Sequence, residues 1–441
     1  MKKEGYSLSV SPKSFTFVIA LTKQTKENMR KDTTKNLVGQ PIVKQMLEFI
    51  PRELFDKLVK ELKTDRYYKT FDTWTQFVTL LFGILSRCDS TTEIASGMQA
   101  LQGKLSYLGL NASPAKSTIG DGIRNRDEEF FRLLYFALID YFFRFLSVSR
   151  IKEVPFEHFY AFDSTTITLF TDIMKGVGRN LKGEGKKKGG LKVHMMIDVH
   201  SDTAKFACIS EAKMHDKKFL QHLTLPKGSM IVFDKAYNHY AQFAKWTEEE
   251  VNFVCRLKDN ALYEVQEVLF EQTLTEKSAG VMKVEHIHIE YKPAPNSKKK
   301  RKLCLRKVTY RDEQGRIYQF ICNNFEISAE MIAFIYKKRW TIELLFKKLK
   351  QNFQLHYFYS ETENGIKTQI WCTLIAQLLL TVLKVKTATK KAFSTVAALI
   401  RIHLISHLDM YWLIENCSRT YIKKTVKRNK SPGIQLTLPL Y

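Results

Sequence analysis

No two cysteines of this chain form a CxxC pair; the seven stand scattered at positions 88, 208, 255, 304, 322, 372 and 417. An odd, dispersed set excludes a disulfide framework, offers no zinc-ligand spacing and fits a reducing compartment. A long apolar run is missing too. The most apolar stretch, Ile370 to Leu383, is interrupted by Thr373, Gln377 and Thr381 and falls short of the ~20 residues that cross a bilayer, so it reads as a buried helix. Phe15 to Leu21 is apolar behind Lys2, Lys3 and Lys13, yet it is short and no small-residue cleavage site follows, which speaks against a signal peptide. Acid is scarce: 45 Asp plus Glu face 70 Lys plus Arg, a net charge of +25. A surplus that large must spread over an extended surface and points to a polyanion, with nucleic acid ahead of an anionic membrane.

What the chain does contain is core-forming material, 44% hydrophobic and 12% aromatic over 441 residues, enough for two to four domains. Residues 1–35 read as a basic N-terminal extension; helical periodicity is absent up to residue 28, and a smoother sequence from Met29 marks that methionine as the expected natural start. Residues 36–150 carry a helical period, as in Leu47, Ile50, Leu54, Leu58 and Leu62, and are expected to form an all-helical DNA-binding domain. Ser90 with Glu93 offers a helix cap, and Ser117 after Pro114 could open a short helix bearing Arg124 and Arg126, with Lys116 just ahead. That helix reads either as the reader of a helix-turn-helix or as a basic solvated helix in a bundle.

The period changes to two at His158–Leu169. A mixed α/β domain is expected from 151 to 258, in the order β-β-β-α-β-α-β: strands to Leu169, at Leu191–Val199, Thr203–Ser210, Ser229–Asp234 and Val251–Leu257, with helices at Asp216–Leu223 and Tyr237–Glu249. Residues 259–325 read as a β-rich insertion around the tract Lys298–Lys302. Helical period returns over 326–390, from Ser328 to Phe353 and Thr368 to Leu383, and continues through Phe393–Ile414 in a helical C-terminal region, 391–441, with a basic tail at Lys423–Lys430.

Phosphodiester chemistry is commonly done with two divalent ions held by carboxylates on separate rigid elements. Asp163 shares a strand face with Phe159 and Ala161, where an unpaired charge is costly and a cation would relieve it. Asp234 ends the apolar run Met230–Phe233, the carboxyl edge of a strand. Taken singly, either aspartate could be a turn former or a helix cap. The third element is Tyr336-Lys-Lys-Arg339-Trp-Thr-Ile-Glu343, continuing to Lys350. On a helix Tyr336, Arg339, Glu343 and Lys350 share a sector of about 60°, while Ile335, Ile342, Leu345 and Leu349 lie elsewhere and can pack into a core. The plainer alternative is an amphipathic basic helix in which Glu343 pairs with Arg339 or Lys347 four residues away. Lys192 and His194 alternate on the strand next to Asp163; they could reach phosphate, or His194 could be a satisfied core histidine. His215-Asp216 most simply caps a helix. The lysine-rich segments 182–192 and 298–302 are solvated loops or backbone clamps.

The spacing Tyr-x2-Arg-x3-Glu-x6-Lys resembles the signature of bacterial insertion-sequence transposases of the DDE class, the insertion-sequence-four family, at all four positions. Asp163-Ser-Thr-Thr resembles that family's first-aspartate strand, Asp234-Lys-Ala-Tyr237 its second-aspartate turn, and Phe71-Asp-Thr-Trp74 its helical N-terminal domain. The resemblance implies an α/β ribonuclease H-like catalytic core with a β-rich insertion between Asp234 and Glu343, preceded by the all-helical domain and followed by the helical C-terminal region. It further implies that Asp163, Asp234 and Glu343 are catalytic and hold two Mg²⁺, with Mn²⁺ as the alternative ion, and that Tyr336, Arg339 and Lys350 contact DNA phosphates. The implied partners are double-stranded DNA, as element ends and target, and a second copy of the chain in the DNA complex; the implied location is the bacterial cytoplasm at the nucleoid. Some relatives flip a base onto a tryptophan of the insertion, but none stands here between Trp246 and Trp340, which leaves hairpin excision open. The function expected is cut-and-paste transposition at inverted terminal repeats. The alternatives are a structure-specific nuclease on the same core and a catalytically inactive DNA-binding derivative.

Overall fold

The structure, a computed structural model, describes residues 39–146, 151–168, 178–179, 188–211, 219–273, 278–294, 297–353, 355 and 357–417. The expected N-terminal extension, the Met29 start, His215-Asp216, most of 182–192 and the basic tail lie outside the described residues.

The chain opens with helices α1 (Ile42–Leu47), α2 (Arg52–Leu62), α3 (Thr73–Ser86), α4 (Thr91–Gln99), α5 (Lys116–Asn125) and α6 (Glu129–Leu146). Local chemistry sets their ends. Asp72 caps α3 by accepting from the Thr75 amide at 2.7 Å, and Ser90 caps α4 by accepting from Glu93 N at 3.2 Å while Glu93 reaches back to the Asp89 amide at 3.0 Å. The helix expected from Ser117 starts one residue earlier, after an uncapped Ala115.

A single mixed sheet follows: β1 (Phe159–Thr168), β2 (Gly178–Arg179), β3 (Lys188–Asp198), β4 (Thr203–Glu211), β5 (Met230–Phe233), β6 (Asn252–Arg256), β7 (Glu264–Glu271), β8 (Gly280–Tyr291), β9 (Arg301–Arg311) and β10 (Ile317–Cys322). The strand order is β2-β3-β1-β5-β6-β10-β9-β8-β7, with β4 on β3. Strands β1, β5 and β6 are parallel, and β3 and β10 flank them antiparallel. The meander expected of the first strands is present, since β3 pairs with both β1 and β4. Helix α7 (Tyr240–Glu248) crosses from β5 to β6. It begins three residues later than its sequence pattern suggests, because residues 235–237 form a 3₁₀ turn and His239 caps the helix. Of the helix expected at 216–223, only the 3₁₀ turn 220–222 lies within the described residues.

The β-rich segment after β6 is not a body apart. Strand β10 pairs with β6, so the insertion continues the same sheet outward through β9, β8 and β7.

Alternation then sorts the strands' side chains into two cores. Phe159, Ala161, Met230, Val232, Val254 and Met195 face one side, and Tyr160, Phe162, Ile231, Phe233, Phe253 and Met196 face the other. The second core is closed by Phe243 and Trp246 of α7. The first is closed by the N-terminal helices together with α8 (Ala329–Lys338), α9 (Trp340–Asn352), α10 (Glu363–Lys386), α11 (Phe393–Ile402) and α12 (Met410–Asn416). Helix α10 is long and apolar enough to cross a membrane, but its most apolar window is 89% buried inside the protein. It is a core helix, and truncating a side chain such as Leu379 to Ala would cost about 2–5 kcal/mol.

Two long helical patterns are divided. The period from Ser328 to Phe353 becomes α8 and α9, parted at Arg339, whose amide bonds Tyr336 O at 3.0 Å while Ile342 N bonds Arg339 O at 3.3 Å. This tightening to three-residue steps leaves the helix direction intact. The period from Phe393 to Ile414 becomes α11 and α12 with a turn between, closed by Ser406 N on His403 O at 2.9 Å.

Candidate active site

Parallel pairing aligns the two aspartates. Phe162 pairs with Phe233 at the last rung between β1 and β5, so Asp163 and Asp234 follow it side by side, Asp234 just past the carboxyl end of β5 and Asp163 midway along β1, opposite Met195 of β3. By alternation both belong to the face that carries Phe159, Ala161, Met230 and Val232, and α9 packs on this face through Ile342, Leu345, Phe346 and Leu349. Ser328 caps α8 by accepting from Met331 N at 3.1 Å, which fixes where the helix pair begins.

The four polar residues of the helix pair then reach the strands. Tyr336 Oη donates to Asp234 Oδ1 at 3.2 Å. Arg339 Nη1 lies 2.6 Å from Glu343 Oε1 and 3.6 Å from Asp163 Oδ2, joining two of the three carboxylates. Lys350 Nζ donates to the Thr166 carbonyl, three residues beyond Asp163, at 3.1 Å. Asp163 also accepts from its neighbour's amide, Ser164 N, at 2.8 Å and from Tyr237 Oη at 3.4 Å.

The electrostatics are those of a cluster short of positive charge. Burial pushes the Asp163 carboxyl up to about 6, with Glu343 and Asp234 adding to the rise and the Ser164 amide and Arg339 opposing it. Burial also raises the Tyr336 phenol, so it remains a neutral hydrogen-bond donor. Burial alone lowers Lys350, whose ammonium finds a carbonyl and no acid among the described residues. Arg339 Nε is buried without a hydrogen-bond partner, an unmet donor beside the carboxylates.

Lys192 and His194 are not brought to this site. Asp163 stands opposite Met195 in the β1–β3 register, so the positions flanking Met195 belong to the other sheet face. His194 is fully buried there, with Nε2 2.9 Å from Ser210 Oγ and its ring stacked on Phe219 at 3.6 Å. Arg126, offered with Arg124 as part of a reading helix, is only 2% exposed and bonds the Phe71 carbonyl at 2.8 Å, so it is a packing residue; Arg124 is exposed near Asp121. Tyr237 was missed as a site residue. Its signal is the motif Asp234-Lys-Ala-Tyr, in which one 3₁₀ turn carries the tyrosine back under β1 toward Asp163.

Two aspartates on adjacent parallel strands, a helix glutamate and an adjoining Arg-Tyr-Lys set define an α/β domain with hard-oxygen donors next to phosphate-suited groups. Comparison with known proteins gives that class its family: residues 155–379, just over half of the chain, match the transposase DDE domain, and the chain belongs to that family. A second family model, of a domain of unknown function, matches residues 38–111. The chain is 28% identical over 203 residues to a putative transposase, y4zB, of Sinorhizobium fredii, covering 45% of this chain and 56% of that protein. It is also 28% identical over 224 residues to the probable transposase of insertion sequence element IS5377 of Geobacillus stearothermophilus, covering 49% and 54%. The putative transposase of element IS4SA of Synechocystis aligns over 328 residues at 24% identity, covering 72% and 83%. The chain thus spans about half the length of the first two relatives.

The DDE family implies dependence on a divalent metal. The donor set fits that requirement: all three acids offer hard oxygen, and the Asp163 carboxyl, raised chiefly by burial and further by Glu343 and Asp234, stands where a cation would favour its charged form. No cluster of three His, Cys, Asp or Glu spaced to hold an ion stands among the described residues.

Proposed function

We propose that this protein is a DNA transposase that binds the terminal inverted repeats of an insertion sequence and cuts and joins DNA on a ribonuclease H-like core. The observation that carries the reading is Arg339, a half-buried guanidinium that bridges Asp163 and Glu343 while its Nε, buried, keeps an unmet donor. A DNA phosphate is an acceptor suited to that guanidinium, and accepting it would release both carboxylates.

In this reading Asp163, Asp234 and Glu343 hold two Mg²⁺, which supply Lewis-acid stabilisation of the attacking and leaving oxygens. Arg339 and Lys350 orient the scissile phosphate for in-line attack, first by water and then by the freed 3′-hydroxyl. Tyr336 holds Asp234 in place through its phenol, and Tyr237 does the same for Asp163. The protein acts as a dimer on its two DNA ends, in the cytoplasm where the DNA lies. Incubating the protein with Mg²⁺ and labelled element ends should give 3′-hydroxyl cuts and joined products. Cuts without joining would make it a nuclease, and binding without cuts an inactive derivative.

A further inference from the structure

The turn after α2 is built in a way that folding alone does not explain. Lys57, Lys60, Lys63, Arg66 and Lys69 recur at three-residue steps. The last four are exposed and have no ion pair among the described residues. The acid within the turn looks inward: Asp65 Oδ1 accepts from the Thr73 amide and hydroxyl, both at 2.6 Å, and lies 3.8 Å from Arg126. Arg126 in turn holds the chain on both sides, donating to the Thr64 carbonyl at 3.3 Å and the Phe71 carbonyl at 2.8 Å, with its guanidinium 4.0 Å over the Tyr68 ring.

Two non-glycine residues here have left-handed backbone: Lys63 at φ 51°, the C-cap that ends α2 and donates its amide to the Val59 carbonyl, and Tyr67 at φ 74°, which stands within this frame. Tyr67 is 87% exposed, its ring touched by the Arg66 guanidinium at 4.9 Å. A bulky side chain in that conformation is strained, and an exposed aromatic recovers little of the cost by packing. Strain held by a rigid frame, at the tip of a basic stripe, fits a surface shaped for a partner.

We infer that residues 60–69 form a duplex-contact surface, in which Lys60, Lys63, Arg66 and Lys69 meet backbone phosphates and Tyr67 packs against the sugar-phosphate edge. The inference rests on the transposase reading and assigns a role within the domain of unknown function. A membrane surface would need a broad apolar face beside the lysines, and here only Leu62 and Tyr67 are exposed large apolar side chains.

The test is anisotropy of a labelled duplex of about 40 base pairs with the full chain in EDTA, over a salt series. The variant Lys60→Gln/Lys63→Gln/Arg66→Gln/Lys69→Gln should bind at least ~30-fold more weakly near 0.1 M salt, with the log–log salt slope shallower by about 3 to 4. Tyr67→Gly should weaken binding roughly 3- to 10-fold while raising Tm by a few degrees, since it removes the contact and the strain together. Circular dichroism of both variants checks the fold. Unchanged affinity and slope in the four-site variant, with the parent chain binding normally, overturns the surface and leaves the transposase reading standing. No duplex binding by the parent chain overturns both. Loss of binding to phosphatidylglycerol vesicles with duplex binding unchanged overturns the surface in favour of a membrane contact.

Discussion

A buried charge cluster in the outer strands and a half-buried one at the site lie along the same sheet and behave oppositely. In the outer strands, Lys307 Nζ lies 2.7 Å from Glu285 Oε2 and donates to Tyr263 Oη at 2.8 Å, with both charged side chains at most 6% exposed. Lys283 adds a second cation at 3.5 Å. That cluster pairs its own charges, two cations on one carboxylate, although Glu285 Oε2 accepts no hydrogen bond among the described residues. At the site, one guanidinium serves two carboxylates at unequal distances, Arg339 Nε has no partner, and the Asp163 carboxyl is raised instead of lowered. The contrast is therefore one of charge and not of unmet hydrogen bonds: the outer cluster sets two cations on one carboxylate, and the site sets two carboxylates on one guanidinium.

Four sets of variants break or sharpen this contrast. The largest effect is expected at the carboxylates: Asp163→Asn, Asp234→Asn or Glu343→Gln should each lower cleavage roughly 10³-fold or more, with end binding nearly unchanged, as gel shifts beside cleavage assays would show. Near-native cleavage by any of them removes that residue from the site. Next is Glu285→Ala, which strands a buried Lys307 and should destabilise the fold by about 3–5 kcal/mol in urea unfolding, whereas Glu285→Leu with Lys307→Met should be close to neutral. An equal loss in the pair would show that the outer cluster does more than pair its own charges.

Asp163 should oppose that pattern. Its folded carboxyl titrates near 6 against 3.8 for the free group, so the folded state binds this proton more tightly. Its contribution to stability should therefore fall as pH rises from about 4 to about 6 and stay low above that. Without divalent ions, Asp163→Asn should remove this slope and stabilise the fold at pH 8 by roughly 1–3 kcal/mol; a destabilised Asn variant would place Asp163 among the cohesive charges.

The smallest effects separate the helix faces. Arg339→Ala and Lys350→Ala should slow single-turnover cleavage by about 10- to 100-fold at saturating DNA, whereas Lys337→Ala, exposed on α8, should change affinity by no more than a few-fold. Lys348, off the signature face in sequence, is not a free surface charge: it pairs with Asp202 and is 30% exposed. Its removal belongs with stability measurements, and equal rate effects at Arg339 and Lys337 would undo the face argument.

The three acids were singled out by their combination and by the family resemblance, one within a strand, one at a strand's end and one at fixed helical spacing. Tyr237 was not, because its role depends on a turn that brings position 237 beneath residue 163. Arg126 misled for a related reason: its charge suggested solvent, and only the packing of α3 and α5 shows it buried against Phe71 and Gln76. Lys192 and His194 were placed on the correct strand, yet their face depended on which residue of β3 stands opposite Asp163. A shift of one residue in that register would have reversed the result.

Periodicity and spacing by themselves determined the helical and sheet regions and the shared face of Tyr336, Arg339, Glu343 and Lys350, because these are repeats of 2 and 3.6 residues written along the chain. Tertiary structure alone decided that the outer strands extend one sheet and that the N-terminal helices share a core with α10. It also decided that Arg339 joins Asp163 to Glu343. Each of those depends on contacts between residues far apart in the chain, where pairing register and the demand to bury every apolar face choose among arrangements that local pattern leaves equal.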